Sequence, residues 1–184
     1  MLSAPEPIAA HHRTDAFSCG KPALDAWLKT RALANQRNGF AAVMVAHEAN
    51  RIAGFYALAP TAILPASMPR PLRTGQPPNP VPGLLLGQLA TDREWAGRGL
   101  GAALLAHALR RSVRAAELVG GRALVVKAID DEAAAFWRRR GFRPSRDDEM
   151  LLFRSMADIA ESVREARIGG CPRRVTRASH RRPA

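Results

Sequence analysis

The sequence predicts an α/β (α+β) fold: a mixed, mostly antiparallel sheet flanked by helices, with a parallel β-α-β unit near its centre. Three observations lead there. "AAVMVAHE" (41–48) and "IAGFYALAP" (52–60) are strand-like apolar runs separated only by the polar "AN" and Arg51, the pattern of an antiparallel hairpin. "LLLGQLATD" (84–92) has the length of a buried strand, and a glycine turn and a long helical pattern follow it. "RALVVKAI" (122–129) comes directly after that helix, so it should lie parallel to the strand before it.

The remaining elements follow in chain order. "KPALDAWLKTRALANQRNG" (21–39) has Pro22 at a helix start, apolar Leu24, Trp27, Leu28 and Leu33, and Asn38-Gly39 as a stop. Residues 65–83 contain seven of the fourteen prolines, which argues against a central strand or an ordinary helix and for a long loop. In 97–121, Leu100, Leu104, Ala108, Val113 and Leu118 supply an apolar face, and Gly120-Gly121 ends the helix. "DDEAAAFWRRRG" (130–141) is a short helix capped by Asp130 or Asp131 and stopped at Gly141. "MLLFRSM" (150–156) is a final strand, and "DIAESVREA" adds a terminal helix.

A chain of 184 residues suits one domain, and 47% hydrophobic against 24% charged residues reads as globular. The longest apolar stretch is interrupted by Pro60 and closed by Pro65, so no membrane span is expected. The N-terminus lacks the basic region and apolar run of a secretory signal. Cys19 and Cys171 are far apart and fit no metal spacing, so no metal is expected and a reduced, cytoplasmic setting is. The net charge is +12, of which residues 165–184 hold +5, six arginines against Glu165. That segment is poor in bulky apolar residues and is expected to be a disordered basic tail behind a domain of residues 1–164. The excess charge points to a polyanionic ligand or partner.

The strongest chemical signal is "QLATDREWAGRGLGAALL". Gly97, Gly99 and Gly101 alternate just before a helix, where glycine lets backbone N–H groups converge on an anion such as a pyrophosphate. Arg98 adds a positive charge there. No Gly-Lys-Ser/Thr follows, which excludes a Walker-type loop. Gly97-x-Gly99-x-x-Ala102 matches a dinucleotide fingerprint, but the acidic residue expected about 20 positions on would be near Glu117, inside the helix.

These residues resemble the GNAT N-acetyltransferases, in which a Gln/Arg-x-x-Gly-x-Gly/Ala loop holds the pyrophosphate of acetyl-CoA. Gly99 and Gly101 match that loop, Gly97 and Arg98 fit its commoner form, and Ala96 stands where Gln or Arg is usual. "FSCGKPALDAWLKTRAL", "GFYALAP", "PVPGLLLGQLATDREWAGRGLGAALLAHALRR", "RALVVKAID" and "AFWRRRGFRPSRDDEMLLF" are, in order, similar to the TacT-type toxins of bacterial toxin–antitoxin pairs, over roughly residues 2–156. The resemblance implies acetylation of the α-amino group of aminoacyl-tRNA, a block of translation, and restraint by a small ribbon–helix–helix antitoxin that also binds operator DNA. It also implies a homodimer.

Carried over residue by residue, the resemblance places the coenzyme at Leu89, Ala90 and Thr91, at Gly97 through Ala102 (with Arg98 and Leu100 between the glycines), and at Phe136. A main-chain N–H near Leu89 would polarise the thioester carbonyl. Where family members have a tyrosine that protonates the leaving sulfur, this chain has Trp137. Indole N–H is a donor but does not ionise near neutral pH, so Trp137 is either a weaker hydrogen-bond donor or a core residue. Tyr56, the only tyrosine, is a core or substrate-pocket residue or a relocated acid. An α-amine, with a reference pKa of about 7.7–8.0, needs no strong base. His47 and Glu48, at a strand end, are candidate helpers that read as ordinary surface residues, and His11 and His12 read no differently. For tRNA the candidates are Lys29, Arg31, Arg70, Arg73, Arg93 and Arg138, with Arg139 and Arg140 beside the last. Two other readings stay open: acetylation of a protein N-terminus or small amine, and a catalytically weakened acetyl-CoA-binding module.

Overall fold

In the computed structural model, which describes residues 1–169, the expected β-α-β unit lies inside a seven-stranded mixed sheet. The elements are β1 (Glu6–Pro7), α1 (Pro22–Thr30), α2 (Ala32–Arg37), β2 (Ala42–Glu48), β3 (Arg51–Ile63), β4 (Val81–Thr91), α3 (Leu100–Val119), β5 (Ala123–Lys127), α4 (Asp131–Arg138), β6 (Arg143–Pro144), β7 (Leu151–Ser155) and α5 (Met156–Gly169). The strand order is β1-β2-β3-β4-β5-β7-β6, and only β4 and β5 run parallel. This is because α3 is the one crossover connection between hydrogen-bonded strands.

Several local signals act as expected. Ala49 and Asn50 both take positive φ (47° and 66°), the two-residue turn whose twist suits a β2–β3 hairpin. Pro22 starts α1, and Asp25 in its first turn accepts the Cys19 N–H at 2.8 Å. Other boundaries differ. The helix expected over 21–39 breaks at Arg31 (φ −120°, ψ −33°) into α1 and α2. The proline-rich segment forms 3₁₀ turns at Pro65–Ser67 and Arg70–Arg73, then joins β4 already at Val81. Pro82 is tolerated because it stands near the start of that strand. The terminal helix runs through residues 165–169, part of the expected tail; residues 170–184, with Cys171, lie outside the described residues.

Period-2 alternation sends side chains to the two faces of the sheet. Tyr56, Leu58, Leu124 and Leu152 meet Leu104, Ala108 and Ile159 from α3 and α5. Phe55, Ala57, Val43 and Val45 meet Leu28 and Trp27 from α1, where the Trp27 and Phe55 rings stack at 5.9 Å. Gly54 lets α3 approach β3 closely: a Cβ there would sit 2.7 Å from Leu104 Cδ1 and 3.1 Å from the Ala90 carbonyl oxygen. Gly54→Ala is therefore expected to lower stability by about 1–3 kcal/mol through overpacking, measured by chemical denaturation. An unchanged midpoint would mean that α3 shifts freely.

Candidate active site

The site begins where β4 and β5 part. They pair only at Leu84↔Leu124 and Leu85↔Val125, while β4 continues along β3 to Thr91. Gly87 is the extra residue of a bulge, with Ala57 opposite Gln88 but Leu58 opposite Leu86. The bulge reverses which residues face α3. Leu84 and Leu86 do so before it; beyond it Leu89 does, and Ala90 turns toward α1. The Asp92 N–H donates to the Ala53 carbonyl at 2.8 Å. Antiparallel pairing alternates, so Gln88, Ala90 and Asp92 point their amides at β3, and Leu89 and Thr91 point theirs into the gap. These main-chain groups line one wall of a cavity of about 250 Å³. Phe136 and Trp137 line the opposite wall, with Cys19 and Lys21 at its rim.

The glycine turn follows β4. Asp92 is buried and accepts the N–H groups of Ser18 and Glu94, each at 2.9 Å, which anchors the turn. Gly97 and Gly99 have φ of 73° and 81°, and a Cβ on either would meet no atom within 4 Å. Glycine is required there by the left-handed backbone, not by crowding. Gly99 precedes α3 with no side-chain cap, so the first N–H groups of this 20-residue helix open onto unfilled space. Leu100 is buried and holds the helix to the sheet, Gly101 lies against Thr91, and Ala102 is exposed. The Arg98 guanidinium sits over the Trp95 ring at 5.4 Å. These residues fit a pyrophosphate-bearing coenzyme, because main-chain donors converge on a place that side chains leave empty.

On the far wall, Asp130 caps α4 by accepting the Ala133 N–H at 2.8 Å. Its carboxylate also pairs with Lys21 Nζ at 2.7 Å, which joins the segment before α1 to α4 across the rim. The Lys21 ammonium holds the Asp130 carboxyl below its usual range. Trp137 is buried, with edge-on contacts to Phe136 (4.9 Å) and Phe142 (5.2 Å). It therefore serves the core and lines the cavity at once. Arg140 lies 3.5 Å over the Phe136 ring and donates to the Phe136 carbonyl at 3.1 Å.

The structure does not bring Tyr56 to this cavity. Its side chain is fully buried under α3, and its hydroxyl contacts His107 Nδ1 at 2.6 Å. Burial pushes the phenol pKa well up, which leaves it a fixed donor rather than an acid for the cleft. Of the basic candidates, Lys29 and Arg31 are exposed at the α1–α2 junction. Arg70 is exposed in its 3₁₀ turn, and Arg73 is half-buried with an Nε that has no partner. Arg93 folds over Gly20, and Arg138 pairs with Glu149 at 3.1 Å. Among the described residues no histidine lines the cavity. Contrary to the surface expectation, His12 is buried, and its Nε2 and that of His47 lie 3.1 and 3.2 Å from the Glu6 carboxylate. Three residues at the rim escaped sequence reasoning: Cys19, Lys21 and Asp130 as an ion-pair partner. The "FSCGK" stretch before α1 is the only local signal for the first two.

The model of the acetyltransferase (GNAT) domain matches residues 39–144. The chain belongs to the GNAT acetyltransferase family. A tRNA-acetylating toxin of Mycobacterium tuberculosis is 42% identical over 156 residues, covering 85% of this GNAT chain and 93% of that protein. AtaT complexed with acetyl-methionyl-tRNAfMet superimposes with a TM-score of 0.80 at 28% identity, covering 88% of this chain and 99% of that one. A tyrosine-to-phenylalanine form of AtaT, bound to the C-terminus of the antitoxin AtaR and acetyl-CoA, gives 0.74 at 28% identity, covering 88% and 97%. The sheet with its parted strands is thus a GNAT fold, and the chain is an N-acetyltransferase.

Proposed function

We propose that this chain is an acetyl-CoA-dependent N-acetyltransferase toxin that acetylates the α-amino group of aminoacyl-tRNA and blocks translation. The observation that carries this reading is the gap beyond Leu85, where the Leu89 and Thr91 main-chain groups face Trp137 just upstream of the open glycine turn. The relative's name and the tRNA-bound AtaT support the substrate. Acetyl-CoA supplies the activated acetyl group. The Gly97–Ala102 turn holds its pyrophosphate, and Leu89 and Thr91 align its arm, while Ala90 between them stays in the β3 ladder. The Leu89 N–H stabilises charge developing on the carbonyl oxygen.

Among the described residues the cavity has no imidazole, and its Asp130 carboxylate is engaged by Lys21. That suits an α-amine, which is partly neutral near its reference pKa of about 7.7–8.0, better than a lysine near 10.4. Trp137 and Phe136 exclude water from the leaving sulfur, and Trp137 offers it a hydrogen bond without a transferable proton. A ribbon–helix–helix antitoxin neutralises the toxin and carries it to operator DNA; the antitoxin-bound AtaT supports that partner. Exposed Phe40 supplies apolar surface for the homodimer. The catalytic unit is residues 1–164, continued by α5, and works in the cytoplasm, where charged tRNA is used.

Purified protein given labelled acetyl-CoA should label charged tRNA and leave deacylated tRNA unlabelled. The rate should rise with pH through one limb at or below about 8 and then level off, because only the neutral amine attacks. Coenzyme binding without any labelling of charged tRNA would sink the toxin activity and favour the binding-module reading, to which Trp137 already lends weight. Labelling of peptide N-termini instead would favour the other enzyme reading.

A further inference from the structure

Helix α3 carries a second feature that acetyl transfer in the cleft does not use. His107, Arg110, Arg111 and Arg114 recur at i, i+3, i+4 and i+7, one stripe along the helix. With Arg164 of α5 the stripe lines a cavity of about 370 Å³, in which Glu117 is the only lining carboxylate among the described residues; Arg111 and Arg114 also border a second cavity beside Leu58 and Leu84. Among the described residues none of the four guanidiniums is in an ion pair.

The stripe is also ordered from beneath. His107 Nδ1 and the Tyr56 hydroxyl lie 2.6 Å apart, a hydrogen bond that fixes the orientation of the imidazole ring. Burial and then the neighbouring Arg110 and Arg111 lower its pKa, so it contributes a neutral polar group rather than another charge. Like charges three and four residues apart on a helix repel one another, and a bound polyanion relieves that repulsion while accepting forked guanidinium hydrogen bonds.

The coenzyme does not fill this seam. At about 1.5 Å per residue, His107 lies about 12 Å and Arg114 about 22 Å along α3 from Gly99, where the pyrophosphate belongs. The guanidiniums span two helical turns and a second helix, an elongated array that matches a row of phosphates better than a single small anion. We infer that the seam between α3 and α5 is a second phosphate site, which takes backbone phosphates of the RNA substrate away from the acetyl-transfer cleft. This rests on the tRNA reading above.

Binding of deacylated tRNA, followed by fluorescence anisotropy over a salt series, tests it without requiring any acetyl transfer. Arg110→Gln with Arg164→Gln is expected to weaken binding about tenfold or more at about 0.1 M salt. The slope of log K against log salt should become shallower by about two, with acetyl-CoA affinity and the circular dichroism spectrum unchanged. Arg143→Gln with Arg146→Gln removes equal charge elsewhere and should change the slope less. Glu117→Gln should tighten binding. An unchanged slope in the first pair, or an equal change in the control pair, overturns the site. Inorganic pyrophosphate is the second probe. If its binding is lost in the first pair while tRNA binding is not, the seam takes a small anion and the RNA assignment falls. Should charged tRNA go unlabelled by wild-type protein while the slope change appears, the reaction is wrong and the site stands.

Discussion

Trp137→Tyr is expected to accelerate acetyl transfer about a hundredfold, toward the lower end of what a positioned general acid contributes, with acetyl-CoA affinity unchanged. The proton that leaves the attacking amine must finally reach the coenzyme sulfur. Trp137 lines the cavity beside Phe136 and opposite Leu89, and its indole N–H does not ionise near neutral pH. A phenol in its place has a reference pKa of about 10 and can give up its proton. Because an acid must be protonated to act, the variant's rate should also fall as pH rises past about 10, a limb the parent lacks. The phenol is smaller than the indole, so edge contacts with Phe136 and Phe142 loosen, but no polar group is stranded if the hydroxyl faces the cavity. Stopped-time assays with labelled acetyl-CoA would read the rate, and calorimetry the coenzyme affinity. No gain in rate at equal affinity would mean that Trp137 is a core residue away from the leaving group.

Leu89→Pro should reduce transfer about 10²–10³-fold, the usual loss when one oxyanion donor is removed, while the protein still folds. The Leu89 amide faces the gap left by β5, so proline takes no hydrogen bond from the β3–β4 ladder. Ala90→Pro is the matched control. Its amide belongs to the ladder with Phe55 and its side chain is buried, so that variant should fail to fold stably. Thermal melts and kcat measured together separate the two effects. A Leu89→Pro protein that folds and retains full activity would remove the Leu89 N–H from the mechanism.

Much of this site was legible because its parts are local. Alternating glycines before an apolar helix announce a left-handed turn with free amides, and Gly97 and Gly99 take that conformation. Asp130 was readable as a cap from its place before a short amphipathic stretch. The Lys21–Asp130 pair was not, because it joins residues 109 apart and nothing near either one signals the other. For Tyr56 the core reading holds, but its hydroxyl partner, His107, was not legible, because it sits on an element that only packing brings above it. The basic stripe on α3 was not singled out in the sequence, since its place beside α5 depends on tertiary contact.

The sequence by itself determined the order of elements, the glycine turn and the family, because period, turn chemistry and motif spacing are encoded within a few neighbouring residues. Only the tertiary structure decided which amides are free. The Gly87 bulge and the parting of β4 from β5 turn Leu89 and Thr91 into the cleft. Strand register is a relation between distant segments, and one extra residue reverses every side chain beyond it.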